Sequence, residues 1–320
     1  MADIRKCAII GCGNVGATTA FALMQSELFS DILLVDIDKR RAAGEASDLE
    51  HGLPFLSPMT IKVADYPDIS DCGLVIITAG ANQKAGQTRI DLVRQNVKIF
   101  ESIVSETVKY NKDAILLIVT NPVDILTYVS LKISGFPPNR VIGSGTVLDT
   151  ARLKQLVGNH LGVDSRNVHT FIIGEHGDSE LAVWSSANIS GIDLDSFCRA
   201  NNTSDCDKCS SQALHEIYND VKNSAYKIIE AKGATYYAIA MSVKKIVSAI
   251  VRDENAILPV STLVSGHYGL DEVCMGLPCI VGKEGIKRVL EVPLDEDELK
   301  SLKDSAHKLK EVTDEIYQMC

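Results

Sequence analysis

Two short stretches carry groups suited to proton transfer beside a bound carboxylate: Asp149-Thr150-Ala151-Arg152 and Gly174-Glu175-His176-Gly177-Asp178. An imidazole gains or loses a proton near neutral pH, and a carboxylate partner fixes its tautomer and favours the charged ring. A guanidinium can grip a substrate carboxylate with two parallel hydrogen bonds. His176, Asp149 and Arg152 therefore read as a proton carrier, its orienting acid and an anion anchor. An isolated histidine is more often structural, and an isolated arginine more often a solvated surface group. His176, however, sits in a glycine-flanked run with no evident packing role.

A second constellation lies upstream. Gly11-Cys12-Gly13-Asn14-Val15-Gly16 follows a predicted strand, Cys7–Ile10, and opens a predicted helix, Val15–Leu28. The first glycine permits a tight turn, the second lets a pyrophosphate approach the backbone, and the third lets helix and strand pack closely. The helix N-terminus then offsets phosphate charge. Asp36 stands twenty residues beyond Gly16, at the end of the second predicted strand. Its carboxylate can accept from ribose hydroxyls and would repel a 2′-phosphate, which favours NAD over NADP. A nicotinamide that moves a hydride, next to a histidine that moves a proton, points to redox chemistry on a small carboxylic acid.

These groups need a frame to hold them. Cys7–Ile10, Ile32–Val35, Leu74–Thr78, Ala114–Val119 and Val141–Ile142 are short apolar runs that suit strands buried on both faces. Helical stretches alternate with them, including Val15–Leu28, Arg89–Tyr110 and Asp124–Ile133. The pattern predicts an α/β fold with a doubly wound parallel Rossmann sheet over residues 1–143. From about Gly145 the rhythm changes: a helix from Thr146, a strand Val168–Ile173, long helices Ser210–Ala231 and Ala234–Val251, then strands Ala256–Val264 and Val273–Val281. A closing helix repeats Leu299, Leu302, Ala306, Leu309, Val312 and Ile316 at steps of three and four. Residues 144–320 thus read as a second, α+β catalytic domain, packed on the first with a cleft between them.

The 320 residues suffice for two cores, and a net charge of −10 argues against nucleic acid. No run of 18 apolar residues is present to span a membrane. Arg5 and Lys6 before Cys7–Ile10 hint at a secretory signal, but the glycines interrupt it, so a cytoplasmic protein is expected. The nine cysteines are scattered and odd in number, which suggests free thiols. Cys206-Asp207-Lys208-Cys209 has no second pair at zinc-binding spacing and lies in a polar loop, so no metal is expected.

With Asp48-Leu49-Glu50-His51-Gly52, Thr78-Ala79-Gly80-Ala81, Val119-Thr120-Asn121-Pro122 and Leu148-Asp149 added, essentially the whole chain resembles the bacterial L-lactate dehydrogenases of the lactate/malate dehydrogenase superfamily. The resemblance implies NAD as cofactor, interconversion of pyruvate and L-lactate in glycolysis and fermentation, and a homotetramer. It makes His176 the proton donor and acceptor, Asp149 its orienting acid, and Arg152 the anchor of the substrate carboxylate. Arg89 would polarise the carbonyl from a mobile loop spanning about Gly80 to Asp91, and Asn121 would touch both substrate and nicotinamide. The cofactor positions matched are Gly11, Gly13, Val15, Gly16, Asp36, Arg41, Tyr66, Gly80, Ala81, Ser102, Val119, Asn121 and Ser144.

The same resemblance frames specificity. Malate dehydrogenases carry an arginine where this chain has Gln83, and a neutral amide cannot offset a second substrate carboxylate. Thr235 matches the other wall of the pocket, where a small side chain suits a methyl group. A malate dehydrogenase, an enzyme for bulkier 2-oxo acids and a non-catalytic NAD-binding scaffold are the competing readings. Many bacterial members bind fructose 1,6-bisphosphate between subunits through an arginine and a histidine. His169 matches the latter, and Lys154 stands at the arginine position, which makes the sugar bisphosphate a candidate allosteric activator.

Overall fold

The computed structural model describes residues 2–81, 89–200 and 209–317, the side chains of Arg89 and Tyr317 aside. Gln83 and Cys206 lie outside the described residues, and so does the side chain of Arg89. The first half alternates β1 (Asp3–Ile10), α1 (Asn14–Met24), β2 (Asp31–Val35), α2 (Lys39–Gly52), β3 (Thr60–Val63), β4 (Cys72–Ile77), α3 (Arg89–Tyr110), β5 (Ile115–Ile118), α4 (Val123–Ser134) and β6 (Val141–Gly143). These six strands pair in parallel in the order β6-β5-β4-β1-β2-β3. The order reverses beside β1, which is where a doubly wound sheet opens a crevice at its strand ends.

Two elements of this half escape the apolar-run pattern. Strand β3 is short, with the alternating sequence Thr-Ile-Lys-Val at the sheet edge, and only Ile61 is fully buried. Helix α2 is mostly polar and buries only Ala42, Ala46 and Leu49, a narrow stripe under one face. Its start is set by Asp38, whose side chain accepts from the Arg40 and Arg41 N–H groups.

The second half comprises α5 (Val147–Leu161), β7 (Val168–His169), β8 (Ile172–Ile173), β9 (Leu181–Ala182), β10 (Asn188–Ile189), β11 (Ile192–Asp193), α6 (Leu194–Ala200), α7 (Ser211–Lys232), α8 (Tyr237–Val251), β12 (Ala256–Ser265), β13 (Asp271–Gly282), β14 (Gly285–Val289) and α9 (Glu296–Tyr317). The expected strand Val168–Ile173 is two strands in different sheets: β7 pairs with β10, and β8 with β9. Between them Thr170 turns its hydroxyl to the Val183 carbonyl, which takes the chain out of one sheet and into the next.

The halves share their largest sheet. β12 lies antiparallel to β6 through Ser261 and Gly143, and β13 and β14 extend the same sheet to nine strands. Side chains alternate along β1: Ala8 and Ile10 join the core under α3, α4 and α9, while Cys7 and Ile9 join the core under α1, α2 and α8. A third core cluster holds α5, β7, β10 and α7 together. The expectation of free thiols is corrected at one place. Cys198 of α6 is disulfide-bonded to Cys209, with Cα atoms 6.4 Å apart, because the chain returns there to start α7.

Candidate active site

The glycine turn is built by close approach. Gly11 has φ +103°, and a Cβ there would meet the Ala79 backbone nitrogen at 2.5 Å. A Cβ on Gly16 would fall 1.8 Å from the Gly11 carbonyl oxygen, so only glycine lets α1 sit this close to β1. At Gly13, the residue before α1, a Cβ would meet nothing within 4 Å, so open space lies in front of the helix N-terminus.

A cleft of about 590 Å³ opens at the ends of β1, β2 and β4. Gly11, Asp36, Tyr66, Gly80, Ala81 and Ser102 line it, together with Ile37, an aliphatic side chain left wholly exposed. Asp36 is held in place: its Oδ2 accepts the Cys12 N–H at 2.5 Å and its Oδ1 the Asp38 N–H at 2.8 Å. An open helix N-terminus, an apolar wall and a fixed carboxylate at the cleft rim fit a dinucleotide. The described lining does not include Gly13, Val15, Gly16, Arg41, Val119, Asn121 or Ser144. Arg41 points along α2 to Glu45 at 3.8 Å, while Val119 and Ser144 are buried beyond the ends of β5 and β6.

The second group is assembled by α5 and the β8–β9 loop. Asp149 occupies the first turn of α5 and is 2% exposed. Its Oδ2 lies 2.5 Å from His176 Nδ1, and its Oδ1 accepts from Arg152 Nη1 at 2.9 Å, one helical turn on. Two threonines flank Asp149 and lock α5 to β8. Thr146 Oγ1 donates to the Ile172 carbonyl at 2.6 Å, and Thr150 Oγ1 accepts the Ile172 N–H at 2.9 Å. Gly174, at φ +92°, pairs with Gly276 of β13 in both directions, which swings the following residues back over α5.

Burial works against a charged ring at His176, but the charge and hydrogen bond of Asp149 outweigh it and raise the imidazole to about 9. Burial alone would raise Asp149 as well; the ring and the Arg152 guanidinium hold its carboxyl below the usual range. Glu180, 6% exposed, closes the site from the other side. Burial and the neighbouring Asp149 charge push its carboxyl up to about 8.

Among the described residues, Asp149, His176 and Glu180 are the group whose ligand-type atoms all lie within 4.8 Å of one another. Both Asp149 oxygens already accept from His176 and Arg152. Asp149 is thus a carboxylate between two nitrogen donors, whereas Glu180 keeps a buried Oε1 without a hydrogen-bond partner.

Several residues of the site carry no motif. Asn96, fully buried in α3, accepts the Ala81 N–H at 2.7 Å and donates to the Asn121 carbonyl at 3.0 Å. It ties the Gly80-Ala81 wall of the cleft to the Asn121 turn. An amide among Val93, Val97 and Phe100 on the buried face of α3 is the sequence signal that could have revealed it. Asp124 and Glu180 were likewise silent, and Thr146 and Thr150, although one opens an expected helix and the other lies between Asp149 and Arg152, carried no assigned role. Thr235 is half-buried in the short connection between α7 and α8.

A parallel dinucleotide-type sheet, its cleft and a carboxylate-bound histidine on the adjoining half define a two-domain dehydrogenase architecture. The sequence profile of the lactate/malate dehydrogenase NAD-binding domain matches residues 5–143, and that of the family's alpha/beta C-terminal domain matches residues 146–319. The chain belongs to the lactate/malate dehydrogenase family. It is 54% identical over 312 residues to L-lactate dehydrogenase 1 of Clostridium acetobutylicum, covering 98% of each chain. It is 55% identical over 310 residues to the L-lactate dehydrogenase of Acetivibrio thermocellus, covering 97% of this chain and 96% of that protein. Among solved structures it superposes on the minor L-lactate dehydrogenase of Enterococcus mundtii with a TM-score of 0.92 at 39% identity, covering 97% and 98% of the two chains.

Proposed function

We propose that the chain is an NAD-dependent L-lactate dehydrogenase, in which His176 and Asp149 form the proton relay. The contact of 2.5 Å between His176 Nδ1 and Asp149 Oδ2 carries this reading, because it leaves Nε2 as the ring atom able to exchange a proton with substrate. Bound NADH supplies the hydride that reduces the keto carbon. His176, protonated, donates to the carbonyl oxygen as charge develops there, and Asp149 stabilises the ring's positive form. Arg152 binds the substrate carboxylate with the remaining guanidinium donors, and Arg89 adds positive charge at the carbonyl. Asn121, Gln83 and Thr235 shape the substrate's surroundings, with residues 1–143 binding NAD and 144–320 supplying the relay.

A substrate panel read at the NADH absorbance tests this. Pyruvate is expected to be reduced far faster than oxaloacetate or branched 2-oxo acids. Reduction needs the charged ring, so kcat/KM for pyruvate should be level near neutral pH and fall as pH rises through about 9. Lactate oxidation needs the neutral ring and should rise over the same range. Preference for oxaloacetate, or a pyruvate profile with no alkaline fall, contradicts the assignment.

The assembly and its control are part of the same reading. We infer a cytoplasmic homotetramer activated by fructose 1,6-bisphosphate through Lys154 and His169; no helix among the described residues is long and apolar enough to cross a membrane. His169 is exposed on β7, while Lys154 is half-buried on α5, where desolvation lowers its ammonium. Lysine offers phosphate a point charge without the bidentate fork, so modest activation is expected. Kinetics and sedimentation with and without the sugar bisphosphate check it; an unchanged KM for pyruvate removes the activator.

A further inference from the structure

Asp124 opens α4 three residues after Asn121 and is only 2% exposed. Its Oδ2 accepts the backbone N–H of His176 at 2.7 Å, across the junction between the two halves of the chain. Its Oδ1 is buried without a hydrogen bond of full geometry, and the same holds for the Ser261 hydroxyl of β12 beside it. The titratable groups that act on it are His176 and Glu175 from the β8–β9 loop and Cys274 from β13. Burial pushes its carboxyl up to about 6, and the Ser261 hydroxyl, the His176 peptide and the ring pull the other way. A neutral amide would hold the His176 peptide equally well and cost less to bury. The charge therefore calls for an electrostatic explanation, and the ring of His176 is the group on which it acts.

We propose that Asp124 is a positioning residue of the proton relay: Oδ2 clamps the His176 peptide, and the carboxylate adds negative charge near the imidazole, which Asp149 and Glu180 also face. This rests on the reading of His176 as the proton carrier. One residue thereby serves two tasks, because the turn that places Asn121 also fixes the peptide of His176. Asp149 sets the tautomer through Nδ1, whereas Asp124 sets where the ring sits and adds to its proton affinity.

The test is the titration of His176 itself, followed by NMR in enzyme labelled at histidine Cε1. The chain has seven histidines, and the resonance missing from His176→Asn identifies the right one. In Asp124→Asn, which keeps an acceptor for the peptide and removes the charge, that resonance should titrate lower by about 0.5 pH units or more, roughly threefold in proton affinity. The alkaline limb of kcat/KM for pyruvate should move with it, while NADH affinity stays unchanged. A titration within about 0.1 pH units of the parent enzyme overturns the inference. Should Asp124→Asn not fold, Asp124→Ser removes the same charge with a shorter side chain that can still accept from the His176 peptide. It should shift the same resonance down, and an unmoved resonance there overturns the inference as well. His176→Asn separates the two readings. If it is inactive while Asp124→Asn leaves the titration unmoved, only the role of Asp124 fails; if it still turns over pyruvate, the relay fails too.

Discussion

His176→Asn is expected to lower kcat for pyruvate reduction by about 10² to 10⁴-fold, the range general acid catalysis commonly supplies. NADH binding should persist. The cleft is lined by the ends of β1 and β2, the segment Ala79–Ala81 after β4, and α3, and does not include the β8–β9 loop. Asparagine keeps a polar side chain of similar reach but cannot carry a proton at neutral pH. The reaction would then draw its proton from water, in a site whose acid partner is 2% exposed. Asp149→Asn should be nearly as damaging. Its amide can no longer favour the charged ring, and Arg152 loses the carboxylate that holds Nη1 at 2.9 Å. Stopped-flow measurement of NADH consumption, alongside NADH fluorescence titration, checks both effects. Loss of cofactor binding in step with turnover would mean that the substitution damaged the fold rather than the relay.

How much of this was legible beforehand follows from where the information sits. The dinucleotide turn announced itself because its glycines are closely spaced in sequence: Gly16 is demanded by the Gly11 carbonyl five residues before it, although the demand on Gly11 comes from Ala79, distant in sequence and just past the end of β4. The parallel strands were readable because burial on both faces leaves continuous apolar runs such as Leu74–Ile77. Residues acting through partners distant in sequence were not readable. Asp124 resembles any acid in the first turn of a helix until the fold brings His176, 52 residues later, onto its Oδ2. Asn96 owes its role to two backbone segments on either side of it, neither marked by a side-chain pattern. The split of Val168–Ile173 into β7 and β8 was hidden for a related reason. Both halves are extended and follow one another without a turn residue between them, and their different partners, β10 and β9, separate them. The extension of the parallel sheet by β12–β14 depends on a single register contact, Ser261 to Gly143.

On the proposed reading, substrate choice turns on Gln83. Gln83→Arg is expected to raise the ratio of kcat/KM for oxaloacetate over pyruvate by about 10²-fold or more. The reasoning is one of charge balance. With Arg152 in its proposed role against the carboxylate common to both substrates, oxaloacetate would bring one negative charge for which the parent enzyme provides only an amide. In a closed, water-poor site an unpaired carboxylate costs several times what a missing methyl contact costs, and the rejection should appear in both KM and kcat. An arginine at position 83 would pair with that charge bidentately, and it would leave a cation without a partner when pyruvate is bound. Oxaloacetate should therefore gain while pyruvate loses, so the two kcat/KM values move in opposite directions. Competition assays with both keto acids at fixed NADH read the ratio directly. Equal changes for the two substrates would show that position 83 does not act through the second carboxylate.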